Sequence, residues 1–123
     1  MSNILLFYVA DPAASVAFYS RLLGRPPVEQ SPTFALFVLD SGLALGLWRK
    51  DGVQPRPEHA PGACDLGFKV APEQVAQTHA DWLARGVTML MPPTDLDFGT
   101  SFVAVDPDGH RLRVYALAEA PEV

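Results

Sequence analysis

Histidine and cysteine, which often supply nucleophiles, general bases and metal ligands, are scarce in this 123-residue chain. The histidines are His59, His79 and His110, and Cys64 is the single cysteine. One cysteine excludes an internal disulfide and a zinc site built from several cysteines. The spacing of these residues also supports no Ser-His-Asp or Cys-His arrangement. The sequence therefore gives little support for histidine- or thiol-based catalysis.

Each histidine has a structural interpretation. His110 follows the glycine of a turn and has the strand parity of Leu112, which predicts a turn or surface role. His79 lies four residues after Val75 on a predicted helix, so we expect a packed or surface histidine. His59 falls in a proline-rich stretch, where we expect it to be solvated.

Composition and charge limit the possible partners. Apolar residues make up 49% of the chain, enough for a buried core. With 14 acidic and 9 basic residues the net charge is −5, whereas a nucleic-acid binder needs a basic face. The first apolar run lacks a basic leader and stops at Asp11, and no uncharged run reaches about 18 residues. We therefore expect a cytoplasmic protein that binds neither nucleic acid nor membrane.

The first half of the chain predicts a β-α-β-β-β order. Asp11 and Pro12 are typical of a helix start, and Gly24 is typical of a helix end. The predicted elements are a strand over 4–10, a helix over 12–23, a short strand near Val28, and a hairpin of strands over 33–39 and 43–48.

The second half repeats this order. Phe7-x-Val9-Ala10 matches Phe68-x-Val70-Ala71 at an offset of 61 residues, and the glycines Gly42 and Gly109 also correspond. The predicted elements are a strand over 64–71, a helix from Pro72 to Gly86, a strand over 87–91, a loop over 92–98, and strands over 99–105 and 111–117. We therefore predict a single domain over 1–123, with a first unit (1–49), a proline-rich linker (50–62) and a second unit (63–123).

Strand parity predicts which side chains leave the helix-covered face of each sheet. In the first strand, Ile4, Leu6 and Tyr8 point away from the helix. In the second unit the residues on that side are Asp65, Gly67, Lys69, Arg111, Arg113 and Tyr115. Because Gly42 corresponds to Gly109, Trp48 is the counterpart of Tyr115. Side chains of the two units are thus expected to line a concave crevice.

Several short motifs occur in a specific order along nearly the whole chain. They are Val9-x-Asp11, Phe18-Tyr19, Leu23-Gly24 and the terminal Asp106-Pro107-Asp108-Gly109-His110-x-Leu112. Together they resemble the vicinal-oxygen-chelate superfamily, which includes glyoxalases, extradiol dioxygenases, fosfomycin-resistance transferases and bleomycin-resistance proteins. The resemblance implies an α+β fold of two tandem βαβββ units around an open crevice, often with strand exchange in a homodimer.

The metal positions of that superfamily are altered in this sequence. The three positions that the resemblance assigns to metal ligands carry Ile4, Asp65 and Arg113. A hydrocarbon and a guanidinium cannot coordinate a metal, so one possible ligand is left where about three are needed. We therefore predict no metal, no other cofactor and no catalytic residue. Asp65 and Arg113 should pair, either as a structural salt bridge or as a pair that also contacts a polar ligand group.

Three further features look like the phenazine-antibiotic resistance proteins within this superfamily. They are Leu45-x-x-Trp48, the Asp65 and Arg113 pair, and Asp97-Phe98-Gly99-x-x-Phe102. Those relatives are metal-free, dimeric proteins that sequester a planar drug. The resemblance implies binding of a small planar aromatic antibiotic that stacks on Trp48. Together with strand parity, it gives the predicted ligand-binding residues Tyr8, Trp48, Asp65, Phe98, Phe102, Arg113 and Tyr115. For Phe102, ordinary core packing is the favoured alternative.

Two other functions remain open from the sequence. One is a glyoxalase-like lyase, isomerase or dioxygenase whose metal is held by residues other than those three positions. The other is a domain without a small ligand, whose cleft is filled by the Asp65–Arg113 pair and neighbouring side chains. The leading hypothesis is a homodimeric, metal-independent protein that sequesters its ligand.

Overall fold

The structure, a computed structural model, describes residues 2–118. This part of the chain forms two compact units, one ending at Pro61 and the other beginning at Gly62. Each unit combines one α-helix with a four-stranded mixed sheet. The predicted α+β class and the tandem repeat of one structural unit are confirmed.

The first unit contains β1 to β4 and α1. The elements are β1 (Ile4–Val9), α1 (Pro12–Leu23), β2 (Glu29–Gln30), β3 (Phe34–Val38) and β4 (Ala44–Arg49). Its sheet has the order β1-β4-β3-β2. β1 and β4 are parallel, whereas β3 is antiparallel to both β4 and β2.

The second unit has the same topology. Its elements are β5 (Asp65–Lys69), α2 (Gln74–Ala84), β6 (Thr88–Leu96), β7 (Gly99–Val105) and β8 (Arg111–Leu117). The order β5-β8-β7-β6, with β5 parallel to β8, reproduces that of the first sheet. The sequence repeat thus corresponds to a repeat of strand order and strand direction.

Local sequence explains the ends of α1. The Asp11 carboxylate accepts a hydrogen bond from the Ala13 backbone N–H at 3.0 Å, and Pro12 occupies the first helical turn. At the other end Gly24 adopts φ 69°, and its N–H donates to the Ser20 carbonyl at 3.0 Å. This left-handed conformation favours glycine, so the helix ends where the sequence predicts.

The second helix starts later than predicted. α2 begins at Gln74 rather than at Pro72, and Glu73 at its N-cap makes no side-chain capping bond. Its end is close to the prediction, since the helix stops at Ala84 and Gly86 adopts φ 80°. Two apolar side chains of α2, Val75 and Trp82, are buried.

The predicted loop over 92–98 is wrong for residues 92–96, which belong to a strand. β6 continues from Thr88 through Pro92 and Pro93 to Leu96, with irregular register on either side of Met91. β6 is an edge strand, because it pairs with β7 alone in its sheet. Proline is tolerated at the edge of a sheet and at bulges, where its missing N–H breaks no ladder bond. The two prolines therefore interrupt the pairing without ending the strand.

Each helix covers one face of its own sheet, as strand parity predicts. In the first unit the buried side chains include Phe7, Val9 and Phe37, and the Phe37 ring lies 6.1 Å from that of Tyr19 on α1. In the second unit Leu112 and Val114 are fully buried. These apolar faces are the two cores, and they leave the opposite face of each sheet available for a site.

The segment 50–61, which is most of the linker predicted over 50–62, packs partly against the first unit. Lys50–Gly52 form a 3₁₀ turn, and the side chain of Val53 is 3% exposed. Burial of Val53 anchors the segment near the end of β4. Within the described residues, neither helix is long and apolar enough to cross a membrane.

Candidate functional site

The open face of the first sheet carries an aromatic pair. Tyr8 on β1 and Trp48 on β4 are register neighbours, and both are half-buried. Their ring centroids are 6.5 Å apart with an interplanar angle of 79°, an edge-to-face arrangement. The alternation of β1, which buries Phe7 and Val9 under α1, is what places Tyr8 on this side. Two of the predicted ligand-binding residues are thus adjacent.

Tyr8 of this pair lines a pocket of about 630 Å³, which we call the first-unit pocket. From segment 50–61 its lining includes four charged or titratable side chains, Lys50, Asp51, Arg56 and His59. A Cβ added to Gly52 in the same segment would lie 4.0 Å from the Trp48 indole nitrogen. The volume is within the range of about 300–1,000 Å³ that is typical of small-molecule sites.

On the open face of the second sheet, Asp65 and Arg113 form the predicted ion pair. The Arg113 Nε donates to the Asp65 Oδ2 at 2.8 Å, and Arg113 Nη1 donates to the Ser101 hydroxyl at 3.2 Å. The Arg113 and Asp65 side chains are 24% and 34% exposed, whereas Ser101 is fully buried. Two neighbouring strands therefore hold one guanidinium in a defined position at a partly solvated surface.

A second aromatic pair lies on the same face. Tyr115 follows Arg113 by two residues on β8, and its ring centroid lies 6.3 Å from that of Phe98. A Cβ on Gly67 of β5 would lie 3.3 Å from the Tyr115 ring. Glycine at this position lets the ring lie against the sheet beside Arg113. We call Asp65, Ser101, Arg113, Tyr115 and Phe98 the Arg113 cluster.

The placement of Phe102 contradicts its assignment as a ligand-binding residue. Phe102 is fully buried, and its ring packs against Trp82 at 5.4 Å and His79 at 5.2 Å, both on α2. It pairs with Val114, which belongs to the helix-covered face, so it lies on the opposite side of the sheet from Tyr115. Phe102 is a core residue, and His79 is the packed histidine that the sequence predicts.

The sequence predicts a turn or a surface role for His110. In the structure His110 stabilises the turn between β7 and β8, and it is buried rather than at the surface. Its side chain is 3% exposed, and Nδ1 lies 2.9 Å from Asp106 Oδ2. The other Asp106 oxygen accepts hydrogen bonds from the backbone N–H groups of Asp108 and His110. Carboxylate and imidazole atoms of Asp106, Asp108 and His110 approach within 4.8 Å of one another. Because Asp106 already binds the turn with both oxygens, this group is explained by the turn itself.

The donor set at the superfamily's metal positions does not fit a metal ion. Ile4 is a hydrocarbon side chain on the open face, 49% exposed. Asp65 is bonded to Arg113, and a guanidinium offers hydrogen-bond donors but no lone pair. A divalent ion at this point would have one carboxylate, already paired with a cation, as its ligand.

Comparison with known proteins decides the family. The model of the Glyoxalase/Bleomycin resistance protein/Dioxygenase superfamily matches residues 2–114. The chain belongs to this superfamily. A superfamily member from Nocardioides, described as a glyoxalase/bleomycin resistance protein/dioxygenase, is 25% identical with a TM-score of 0.83, over 99% of this chain and 86% of the other.

Two further relatives of the present chain are informative. A phenazine antibiotic resistance protein from Enterobacter agglomerans is 28% identical over 120 residues, which covers 94% of this chain and 91% of the relative. A protein from Agrobacterium tumefaciens with a solution NMR structure is 48% identical, with a TM-score of 0.84, over 97% of this chain and 98% of the other. The first of these makes the chain a distant homologue of a phenazine antibiotic resistance protein.

The sequence missed two features of these sites. Ser101 is a small residue in an apolar strand, and only the antiparallel register with β8 places it opposite Tyr115 and within reach of Arg113. The basic side chains of the first-unit pocket lie in a segment that composition alone describes as a linker. The alternation of β7 was a usable signal for Ser101, whereas nothing local predicts how segment 50–61 folds back.

Proposed function

We propose that this protein binds and sequesters a small planar aromatic antibiotic without using a metal ion. The observation that carries this proposal is Tyr8, which lines the first-unit pocket of about 630 Å³ and meets the Trp48 ring edge-to-face. Half-buried aromatic rings at a pocket offer flat apolar surface to a planar ligand, which is favourable through burial and ring–ring contact. Homology to a phenazine antibiotic resistance protein supports the same class of ligand.

The chemistry of the side chains supports binding over catalysis. Metal-dependent members of such a family need an open coordination site with about three protein ligands, and here Ile4 and Arg113 supply none. His79 and His110 are engaged with Phe102 and Asp106 respectively. A protein that only binds protects its host stoichiometrically, because a bound drug cannot reach its target.

A titration with phenazine tests the proposal. We expect saturable binding by isothermal titration calorimetry, with about tenfold weaker affinity in Trp48→Ala, since loss of a stacked ring costs on the order of 1.4 kcal/mol. Leu83→Ala is the matched control, because Leu83 is an apolar residue of α2 that is 50% exposed. Equal affinity of wild type and Trp48→Ala would remove Trp48 from the site, and absence of binding would refute the proposal.

Metal removal tests the second half of the proposal. Dialysis against EDTA should leave phenazine affinity unchanged, because Ile4 and Arg113 cannot coordinate a metal and Asp65 is paired with Arg113. Elemental analysis of the purified protein provides the direct measurement. A stoichiometric divalent ion that disappears in Asp65→Asn would instead favour a metal-dependent lyase or dioxygenase.

A further inference from the structure

The first-unit pocket has a cationic side that its aromatic residue does not account for. Segment 50–61 contributes Lys50, Arg56 and His59 to the lining, and among the described residues Asp51 is the one acidic side chain there. Lys50 and Arg56 against Asp51 leave a surplus of positive charge, in a chain whose net charge is −5. A pocket lined by an excess of one sign of charge attracts ligands of the opposite sign.

The charged side chains of this lining are not engaged with the rest of the protein. All four are exposed, and within residues 2–118 none of them makes a side-chain hydrogen bond or an ion pair. By contrast, Arg25 and Arg113 pair with Asp40 and Asp65 respectively. The lysine and the arginine of the pocket therefore keep their hydrogen-bond donors available for an anion.

The backbone that carries these cations is held against the first unit. Lys50–Gly52 form a 3₁₀ turn, and the Val53 N–H donates to the Lys50 carbonyl at 3.4 Å. The Val53 side chain is buried in the first unit, and Pro57 and Pro61 line the pocket with restricted φ angles. A segment that is ordered before binding loses less conformational entropy when a ligand arrives.

The cations and the aromatic residues of the first unit are close together. Tyr8 lines the same pocket as Lys50 and Arg56, and its ring meets Trp48 edge-to-face. The Trp48 indole nitrogen also lies 4.0 Å from the position of a Cβ added to Gly52. A ring that packs on Tyr8 thus places an attached substituent beside segment 50–61.

We infer that segment 50–61 forms an anion subsite of the first-unit pocket, which binds an acidic substituent such as a sulfonate or carboxylate on the ligand. Lys50 and Arg56 bind the anionic oxygens, and the His59 imidazole is a further hydrogen-bond donor. The inference rests on the proposed function, since it takes Tyr8 as the surface that holds the ring of the ligand. It adds that the ligand is an anion and that segment 50–61 recognises its charge.

The experiment compares two probes of similar shape, 2-naphthalenesulfonate and the uncharged 2-naphthalenesulfonamide, by isothermal titration calorimetry at neutral pH. We expect the full-length protein to bind the sulfonate about tenfold more tightly, a difference of about 1.4 kcal/mol. Added potassium chloride should weaken sulfonate binding and leave sulfonamide binding unchanged, because salt screens exposed charges. Equal affinity for the two probes, or no binding of either, would overturn the inference.

Variants assign the preference to segment 50–61. The double variant Lys50→Gln and Arg56→Gln should bring the two affinities within about threefold of each other, because it removes both cations of the lining. Both positions are exposed, so the substitutions leave the core intact. Arg21→Gln, at an exposed position on α1, removes one positive charge elsewhere and should retain the full preference. An undiminished preference in the double variant would contradict the subsite.

The same measurements separate this inference from the proposed function. Other cations, Lys69, Arg111 and Arg113 beside Tyr115, lie on the second sheet, so variants of segment 50–61 test the first-unit pocket by itself. Phenazine binding that depends on Trp48, without any preference for the sulfonate, would overturn the anion subsite alone. Sulfonate binding that is lost in the double variant, without phenazine binding, would overturn the proposed function alone.

Discussion

At the scale of single residues, the Asp65–Arg113 pair shows what sequence can and cannot predict. Parity and a family resemblance place both residues on one face, and the 2.8 Å bond between them confirms the pairing. Burial is a different matter, because it depends on which strands and side chains surround the pair. The two side chains retain 24% and 34% exposure, so the pair is screened by solvent.

Loss of the guanidinium should therefore have a modest effect on stability. Arg113→Ala is expected to lower the free energy of unfolding by about 1 kcal/mol, in contrast to about 3–5 kcal/mol for a fully buried pair. Urea denaturation of Arg113→Ala, Asp65→Ala and the double variant gives the coupling energy of the pair. Arg21→Ala on α1 is the control for loss of an exposed arginine. A loss of several kcal/mol in Arg113→Ala would show that the pair is more deeply buried.

At the scale of elements, local signals predict helix ends better than strand ends. Asp11, Pro12 and Gly24 determine α1 because their capping bonds and preferred φ values are local properties. The sequence predicts that β6 ends before Pro92, yet the strand continues to Leu96 because β7 provides hydrogen-bond partners along its length. Strand pairing is a long-range interaction, and composition within the strand does not reveal it.

The two helices of the repeat offer a matched test of capping. Asp11→Ala should destabilise the protein by about 1 kcal/mol, because the Ala13 N–H loses its capping partner. Glu73→Ala, at the corresponding cap of α2, should change stability by less than about 0.5 kcal/mol, since Glu73 makes no capping bond. Thermal and urea unfolding of both variants measures the difference. Equal effects would show that the carboxylates act through charge at the helix start rather than through the cap.

At the scale of the whole molecule, the two units share a topology but differ in surface chemistry. The open face of the first sheet exposes apolar side chains, including Ile4, Leu6 and Val38 at 49%, 38% and 37%. The open face of the second sheet carries the cations beside Tyr115. One repeated fold therefore presents an apolar surface in one copy and a charged surface in the other.

The exposed apolar face and the resemblance to dimeric drug-binding proteins lead us to predict a homodimer. Sedimentation equilibrium should give a mass twice the 13.3 kDa of the chain. Leu6→Asp should shift the equilibrium toward the monomer, because a charge buried in an apolar interface is costly. Leu83→Asp, on an exposed position of α2, should leave the mass unchanged. A monomer mass at every protein concentration would contradict the prediction.

The sequence alone predicts the order of elements and the helix-covered faces, and its motifs indicate the superfamily. These follow from periodicity, capping residues and motif order, which are local or repeated along the chain. Tertiary packing, by contrast, brings Ser101 to Arg113, places Phe102 under α2, and lets segment 50–61 line a pocket with Tyr8. Each of these three contacts joins residues that are distant in sequence, through strand register or through a segment that folds back on its own unit. Such contacts are set by the packing of the whole unit, and no local pattern encodes them.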